Sequence, residues 1–311
     1  MRLILYGADP TQQVGDSGYV THLIKSDSFS YTRQYGIGGC HFNNAGYYLL
    51  EEALNSEDFD VCILDWNSTW LDTFDQFRVT SVVNRLLSKN TLPVFAILPT
   101  KLNAVVRPSE DLVTQFAKYH GIPCLDIRPG FDRQLMLRDD YHTNEIGARK
   151  IAETLEKFLC CLDVSSILAS LALPPLDAAD EPIIAIHPLN KTLRLGEKFS
   201  IDIERKNVNQ PVDITIDMTI GPFSSFMCMN HDGTKVTTYQ IWDKWCHSER
   251  RKLYPLIDIP SYIPTPLKLD LYIERGSIDY SVCRQSNFSF DGEHELRINR
   301  VYSTNLALSL T

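Results

Sequence analysis

The chain has 311 residues, 44% of them hydrophobic and 22% charged, with 30 Lys plus Arg against 39 Asp plus Glu and a formal net charge of −9. This length suggests two domains, since one domain usually takes roughly 100–200 residues, and the ordinary composition excludes a disordered chain. The acidic balance repels polyanions, which excludes a general nucleic-acid binder and suits a neutral ligand.

In chain order, the first strand candidate is Arg2–Tyr6. It is short, runs straight into a turn, and lacks the basic region, long apolar core and cleavage site of a signal peptide. A weaker strand near Tyr31–Tyr35 follows, then a helical pattern over Asn44–Leu54, a strand at Phe59–Leu64 and a helix over Thr73–Leu87. Next come a strand at Pro93–Leu98, a helix over Ser109–Tyr119, a strand at Ile122–Ile127 and a helix over Asn144–Phe158. In this last helix Ile146, Ile151, Ala152, Leu155 and Leu159 recur at helical spacing and form one apolar stripe. Alternating apolar runs and helical patterns predict βαβ units and a mostly parallel sheet covered on both faces. No apolar segment approaches the roughly 20 residues that cross a bilayer, and a cytoplasmic location is expected.

The segment Leu173–Glu181 (LPPLDAADE) has two prolines and no periodicity that sustains an element. It marks the linker, placed at 166–181 between an α/β domain at 1–165 and a second domain at 182–311. In Pro211–Ile220, Val212, Ile214, Ile216, Met218 and Ile220 alternate with Asp213, Thr215, Asp217 and Thr219, predicting a strand with one buried and one wet face. Phe199–Glu204 and Leu267–Glu274 repeat the alternation, so the second domain is expected to be a β-sandwich. Tyr239, Trp242, Trp245 and Tyr254 gather in one segment, where they either stack on sugar rings or plug the end of the sandwich. Arg250, Arg251 and Lys252 form a short basic run that either solvates a face or meets an anionic group.

The eight cysteines have no CxxC spacing and read as reduced thiols. The histidines are scattered singly, without the spacing of a metal site, and no glycine-rich nucleotide loop is present. Neither a metal nor another cofactor is expected.

Chemistry concentrates in Asp139-Asp140-Tyr141-His142-Thr143-Asn144-Glu145-Ile146-Gly147, between a strand and a helix. This block resembles the SGNH/GDSL hydrolases, whose Asp-x-x-His is followed by an Asn, a Gly and a helix. Asp139, His142, Asn144 and Gly147 fall on those places in order. The resemblance implies an SGNH-like (flavodoxin-like) three-layer α/β/α fold, with His142 as general base for a Ser nucleophile and Asp139 as its orienter. Two further blocks extend it to about 160 residues. Ile37-Gly38-Gly39-Cys40 follows the second strand, where the family has a Gly whose backbone N–H binds the oxyanion, and Gly39 takes that part. Leu64-Asp65-Trp66-Asn67 closes the next strand, where the family reads Gly-x-Asn-Asp; Asn67 matches the Asn that supplies the other donor, while Asp65 replaces the Gly and Ser68 the Asp. Trp66 and Tyr141 flank these residues and are candidates for substrate contact. Cys40 is a conceivable thiol nucleophile, and His41 beside it reads as structural or exposed.

The first block departs from the family. Where it has Gly-Asp-Ser after the first strand, this chain has Gly7-Ala8-Asp9-Pro10-Thr11, and the ungapped register puts Asp9 in the nucleophile's place. A literal Gly15-Asp16-Ser17 occurs eight residues later. Three explanations stand at this level: Ser17, at a helix start, reaches back to His142; Asp9 is itself the functional group, as nucleophile or base; or the site binds a ligand without hydrolysis. The function expected from the resemblance is an esterase or O-acyltransferase of the O-acetyl class, acting on a carbohydrate such as a bacterial surface polysaccharide. The alternative is a non-hydrolytic protein that binds a sugar or acyl donor, or a transferase that uses Asp9. Either way the expected partner is a carbohydrate or acylated small molecule, and at fold level the second domain resembles a carbohydrate-binding module.

Overall fold

The computed structural model describes residues 1–66, 74–101, 108–171, 184–206, 213–231, 233, 235–242, 248–256, 266–274 and 290–311. By backbone contacts the chain divides into two units, Met1–Ala179 and Asp180–Thr311; of the linker placed at 166–181, residues 166–170 belong to a helix over Val164–Ser170, and Leu173–Glu181 lies outside the described residues.

In the first unit, strands β1 (Arg2–Gly7), β2 (Tyr31–Gly36), β3 (Val61–Leu64), β4 (Leu92–Ile97) and β5 (Cys124–Asp126) form a parallel sheet of order β2-β1-β3-β4-β5. Strands β3 and β4 are buried along their whole length because helices cover both faces, which explains their near-continuous apolar runs. Helices α1 (Asp9–Gln12), α2 (Tyr19–Ile24), α3 (Leu50–Leu54), α4 (Gln76–Ser88), α5 (Pro108–His120), α6 (Arg133–Met136), α7 (Glu145–Cys160) and α8 (Val164–Ser170) connect or flank the strands. One core cluster joins Leu3, Leu5, Val61, Ile63 and Val94 of the sheet to Tyr19, Val20 and Leu23 of α2 and to Ile151 and Leu155 of α7. The apolar stripe predicted for α7 is therefore the face it buries, except that Ile146 is exposed.

Where a helix over Asn44–Leu54 is predicted, the chain instead makes a π-helix at Phe42–Gly46 and only then α3. At its end the Tyr6 hydroxyl reaches two carbonyls, Ala45 O and Gly46 O, each at 2.9 Å, Ala45 O also accepting the Leu49 N–H.

The strand order reverses between β1 and β3, and in open α/β sheets a crevice opens at the carboxyl ends of the strands where this happens. Gly7 ends β1 and Leu64 ends β3. The residues just beyond them, Ala8-Asp9 and Asp65, thus stand at the topological switch point.

The second unit is antiparallel. Strands β6 (Ile184–Arg194), β8 (Asp213–Ile220), β11 (Arg250–Pro255) and β13 (Glu295–Thr304) form a sheet of order β11-β8-β13-β6. Strands β7 (Lys198–Arg205), β9 (Phe226–His231), β10 (Lys235–Gln240), β12 (Leu267–Glu274) and β14 (Leu306–Leu310) form the other, of order β10-β9-β12-β7-β14. Ile214, Ile216 and Met218 of one sheet and Ile201, Met229 and Leu269 of the other share one core, the packing of a β-sandwich.

The wet face expected for β8 is not wet, because Thr215 and Asp217 are as buried as the Ile residues between them. Arg251 of β11 explains how a carboxylate tolerates this. Its Nε lies 3.0 and 3.1 Å from the two Asp217 oxygens and its Nη2 lies 2.7 Å from Oδ2, a forked contact matched to a carboxylate. Asn299, at the bulge of β13, adds a contact to Asp217 Oδ1 at 3.3 Å. Arg251 is therefore committed inside the unit, and Lys252 lies over the Tyr254 ring at 5.7 Å, so neither of these members of the basic run stands apart from its neighbours. Tyr239 and Trp242 are buried, Tyr254 packs against the core, and Trp245 lies outside the described residues. Among the described residues, no helix is long and apolar enough to cross a membrane.

Candidate active site

Asp139 and His142 sit in the loop between α6 and α7. Backbone hydrogen bonds pin its two arms together, Arg138 N to His142 O at 2.9 Å and Asn144 N to Met136 O at 3.0 Å. Asn144 then caps α7: its side-chain oxygen accepts from the Gly147 N–H at 3.0 Å, and its amide donates to Leu135 O at 2.6 Å. Within the loop Asp139 Oδ1 accepts the N–H groups of Tyr141 and His142, and the two carboxylate oxygens lie 2.9 and 3.0 Å from His142 Nδ1. That contact places the ring proton on Nδ1 and leaves Nε2 as the basic nitrogen. Partial burial pushes the Asp139 carboxyl upward, but the two backbone N–H groups and the imidazole outweigh it and hold the group below the usual carboxylate range. Asp139 is therefore an anion through the neutral range, as an orienter must be.

The switch-point corner meets this loop directly. Gln13, just after α1, donates from Nε2 to Thr143 O at 2.9 Å, and the Thr143 hydroxyl donates to Ser17 O at 2.7 Å. Ser17 is thus held by its carbonyl against the residue that follows His142. Among the described residues, neither the Ser17 hydroxyl nor the Asp9 carboxylate hydrogen-bonds to the His142 ring. Ser17 lies just ahead of α2, whose N-cap is Gly18.

Asp9 opens α1 and turns its carboxylate to the glycine turn after β2, where Oδ2 accepts the Gly39 N–H at 2.8 Å. Gln12 does the same one turn later, its Oε1 accepting the Gly38 N–H at 2.7 Å. Gly39 has φ +66, a conformation that favours glycine and that aims its N–H at the corner. The Gly39 N–H expected to bind the oxyanion, and the Gly38 N–H beside it, are therefore covered by side chains of α1.

Beneath α1 lies a group the motif comparison passed over. Asp65 follows β3, is 0% exposed, and its Oδ2 accepts the hydroxyls of Thr11 and, at 2.7 Å, Tyr19. Oδ1 makes no hydrogen bond of normal geometry. Burial pushes the carboxyl up to about 6, against the opposing pull of the Thr11 and Tyr19 hydroxyls and the N–H groups of Ala8 and Asp65. The signal available in sequence is a carboxylate ending a central strand of an α/β sheet, where ligands and unusual groups collect.

The folded-state pKa of Asp65 lies above its unfolded value, so folding disfavours the carboxylate form, and stability falls as pH rises from about 4 through 6. A shift of two units corresponds to about 3 kcal/mol. Asp65→Asn, which cannot ionise, is expected to gain about 3 kcal/mol relative to the natural chain between pH 4 and pH 7. Urea denaturation at both pH values measures this, and a stability difference that stays constant across the window contradicts it.

Asn67 lies outside the described residues. Trp66 is fully buried, its ring edge-on to Tyr6 at 5.2 Å and to Phe42 at 6.3 Å, so it supports the corner from inside. Tyr141 is half-buried beside Asp139, Cys40 is buried, and His41 caps the π-helix. Among the described residues no three His, Cys, Asp or Glu side chains converge as metal ligands would.

Compared by sequence, the chain matches no protein-family model and no curated protein. Compared by fold, it overlays on a two-domain esterase active on acetylated mannans with a TM-score of 0.68 at 11% identity, over 98% of this chain and 91% of that one. A structure of such an esterase co-crystallised with mannopentaose gives a TM-score of 0.67 at 12% identity, over 98% and 91% of the two chains. A catalytic mutant of an acetylxylan esterase from Geobacillus stearothermophilus overlays on part of the chain, with a TM-score of 0.41 at 12% identity over 50% of this chain and 93% of that one. The helix-flanked parallel sheet has the SGNH-like α/β fold, followed by antiparallel sheets in a second unit, as in the two-domain esterase.

Proposed function

We propose that the first unit releases O-acyl groups, of the acetyl class, from a carbohydrate. The observation that carries this reading is the Asp139–His142 pair, held at the entrance of α7 with Nε2 as the basic nitrogen and tied through Thr143 to the segment bearing Ser17. In the reaction His142 Nε2 takes the Ser17 hydroxyl proton as Oγ attacks the ester carbonyl, and returns it to the departing sugar oxygen. Water, activated by the same nitrogen, then frees the acyl group from Ser17. A second sugar hydroxyl in place of water makes the same cycle an acyl transfer. Gly39 and Asn67 are the proposed oxyanion donors, and Asp9 must first leave the Gly39 N–H for that donor to serve. The fold shared with an esterase active on acetylated mannans supports a carbohydrate substrate.

A second reading has its own observation. With Asp9 and Gln12 covering both N–H groups of the glycine turn, the corner is already satisfied without an oxyanion, as suits a protein that binds a sugar and does not turn it over. Acetate release from acetylated manno-oligosaccharides, run beside calorimetric titration of the same sugars, separates the two. The esterase reading expects Ser17→Ala to lose about 10³-fold in release while keeping sugar affinity. Saturable binding by the natural chain with no release establishes the second reading instead, and undiminished release by Ser17→Ala removes Ser17 from the mechanism.

A further inference from the structure

We infer that Asp65 is a positioning residue that fixes α1 at the switch point and so sets whether the Asp9 carboxylate covers the Gly39 N–H. The inference concerns the same corner as the proposed esterase site, and only its turnover arm rests on that reading.

Helix α1 has four residues, too few to hold its own shape in water, so its orientation comes from what anchors it. Two anchors reach it from the sheet. From β2, Gln34 Nε2 donates to the carbonyls of Thr11 and Gln13. From the end of β3, Asp65 accepts the Thr11 hydroxyl, and the same oxygen accepts the Tyr19 hydroxyl of α2. The two hydroxyls are themselves 2.9 Å apart, so one carboxylate oxygen gathers the middle of α1 and the start of α2 at a single point. Asp9 and Gln12, on either side of Thr11, then project together onto the Gly38–Gly39 turn.

The fit is close enough to transmit displacement. Asp65 Oδ1 fills the space where a Cβ on Gly7 would stand, so the carboxylate is packed against the last residue of β1. Asp65 and Tyr19 are completely buried, and the neighbouring Cys62 thiol is pushed above 9 by burial and by the nearby Asp65 charge. The oxygen that gathers the two hydroxyls is thus shielded from solvent. Loss of the Thr11 contact removes the tie of α1 to β3 and α2 and leaves Gln34 and the contacts of Gln12 and Asp9 with the glycine turn, of which the Asp9–Gly39 hydrogen bond is the one expected to give way.

The test reads that contact directly. In the full-length chain labelled with ¹⁵N-glycine, the Gly39 amide proton is shifted by its hydrogen bond to a carboxylate, and Asp9→Ala provides the position it takes without one. Thr11→Val and Asp65→Ala are expected to move the Gly39 amide most of the way to the Asp9→Ala position, and Thr11→Ser to return it. In the turnover arm, Thr11→Val changes kcat by about 10-fold with KM held within about twofold, and Thr11→Ser restores it. Should Asp65→Ala fail to fold, the Thr11 pair decides. A Gly39 amide unmoved in folded Thr11→Val overturns the inference. If the natural chain releases no acetate, the esterase reading fails while the amide measurement still decides the role of Asp65.

Discussion

His142→Ala is expected to lower acetate release from an acetylated oligosaccharide by about 10⁴-fold or more, the scale seen when a triad base is removed. In the proposed reaction the ring takes the serine proton, and Arg138, whose Nε lies 3.7 Å from Asp139 Oδ2, is a cation that cannot take its place as a base. The substitution is not expected to harm folding. The His142 side chain is 26% exposed, and the loop is held by backbone contacts, Asp139 Oδ1 to two N–H groups and Arg138 N to His142 O, that alanine keeps. Stability within about 1 kcal/mol of the natural chain is therefore expected, so a lost rate reports chemistry. Single-turnover measurement on a folded, sugar-binding variant is the check. Release within tenfold of the natural rate removes His142 as the base.

The parts of this site that sequence made legible are those where one residue's chemistry is tied to a local pattern. Asp139, His142 and Asn144 lie in one loop, and their contacts, an Asx turn and a helix cap, run within a few residues of each other. The sheet was legible for a related reason: β3 and β4, and β1 from Leu3 on, are apolar and buried because both faces are covered, and short apolar runs between helical patterns announce that. Contacts across the fold were not legible. Asp65 meets Thr11 and Tyr19 across a separation of more than forty residues, and Gln13 meets Thr143 across 130. Strand β8 shows the same limit. Its alternation correctly identified a strand, but Arg251 and Asn299, from other strands, turned its polar face into an interior. The π-helix at Phe42–Gly46 escaped because the frame that stabilises it, the Tyr6 hydroxyl, comes from β1.

The largest expected change in stability comes from the smallest substitution at this corner, Gly7→Ala. The obstacle is steric: a Cβ on Gly7 would stand 1.2 Å from Asp65 Oδ1, 2.4 Å from its Cγ and 2.4 Å from Thr11 Oγ1. Neither neighbour can swing aside cheaply. Asp65 is fully buried and bound to Thr11 and Tyr19, so expelling it strands two buried hydroxyls, and moving β1 breaks its pairing with β2 and β3 on both sides. Overpacking plus unsatisfied buried polar groups place the cost above about 4 kcal/mol. Gly7→Ala is expected to lose cooperative unfolding in urea or to yield chain without native circular dichroism. The SGNH/GDSL pattern suggests the compensating change, because it has Gly where this chain has Asp65. In the Asp65→Gly background the carboxylate that meets the new methyl group is gone. There Gly7→Ala is expected to cost only about 1 kcal/mol, the remaining contact being with Thr11 Oγ1, whose anchor has also been removed. The difference between the two costs is the coupling between the end of β1 and the end of β3. If Gly7→Ala costs the same in both backgrounds, Asp65 is not what reserves that space.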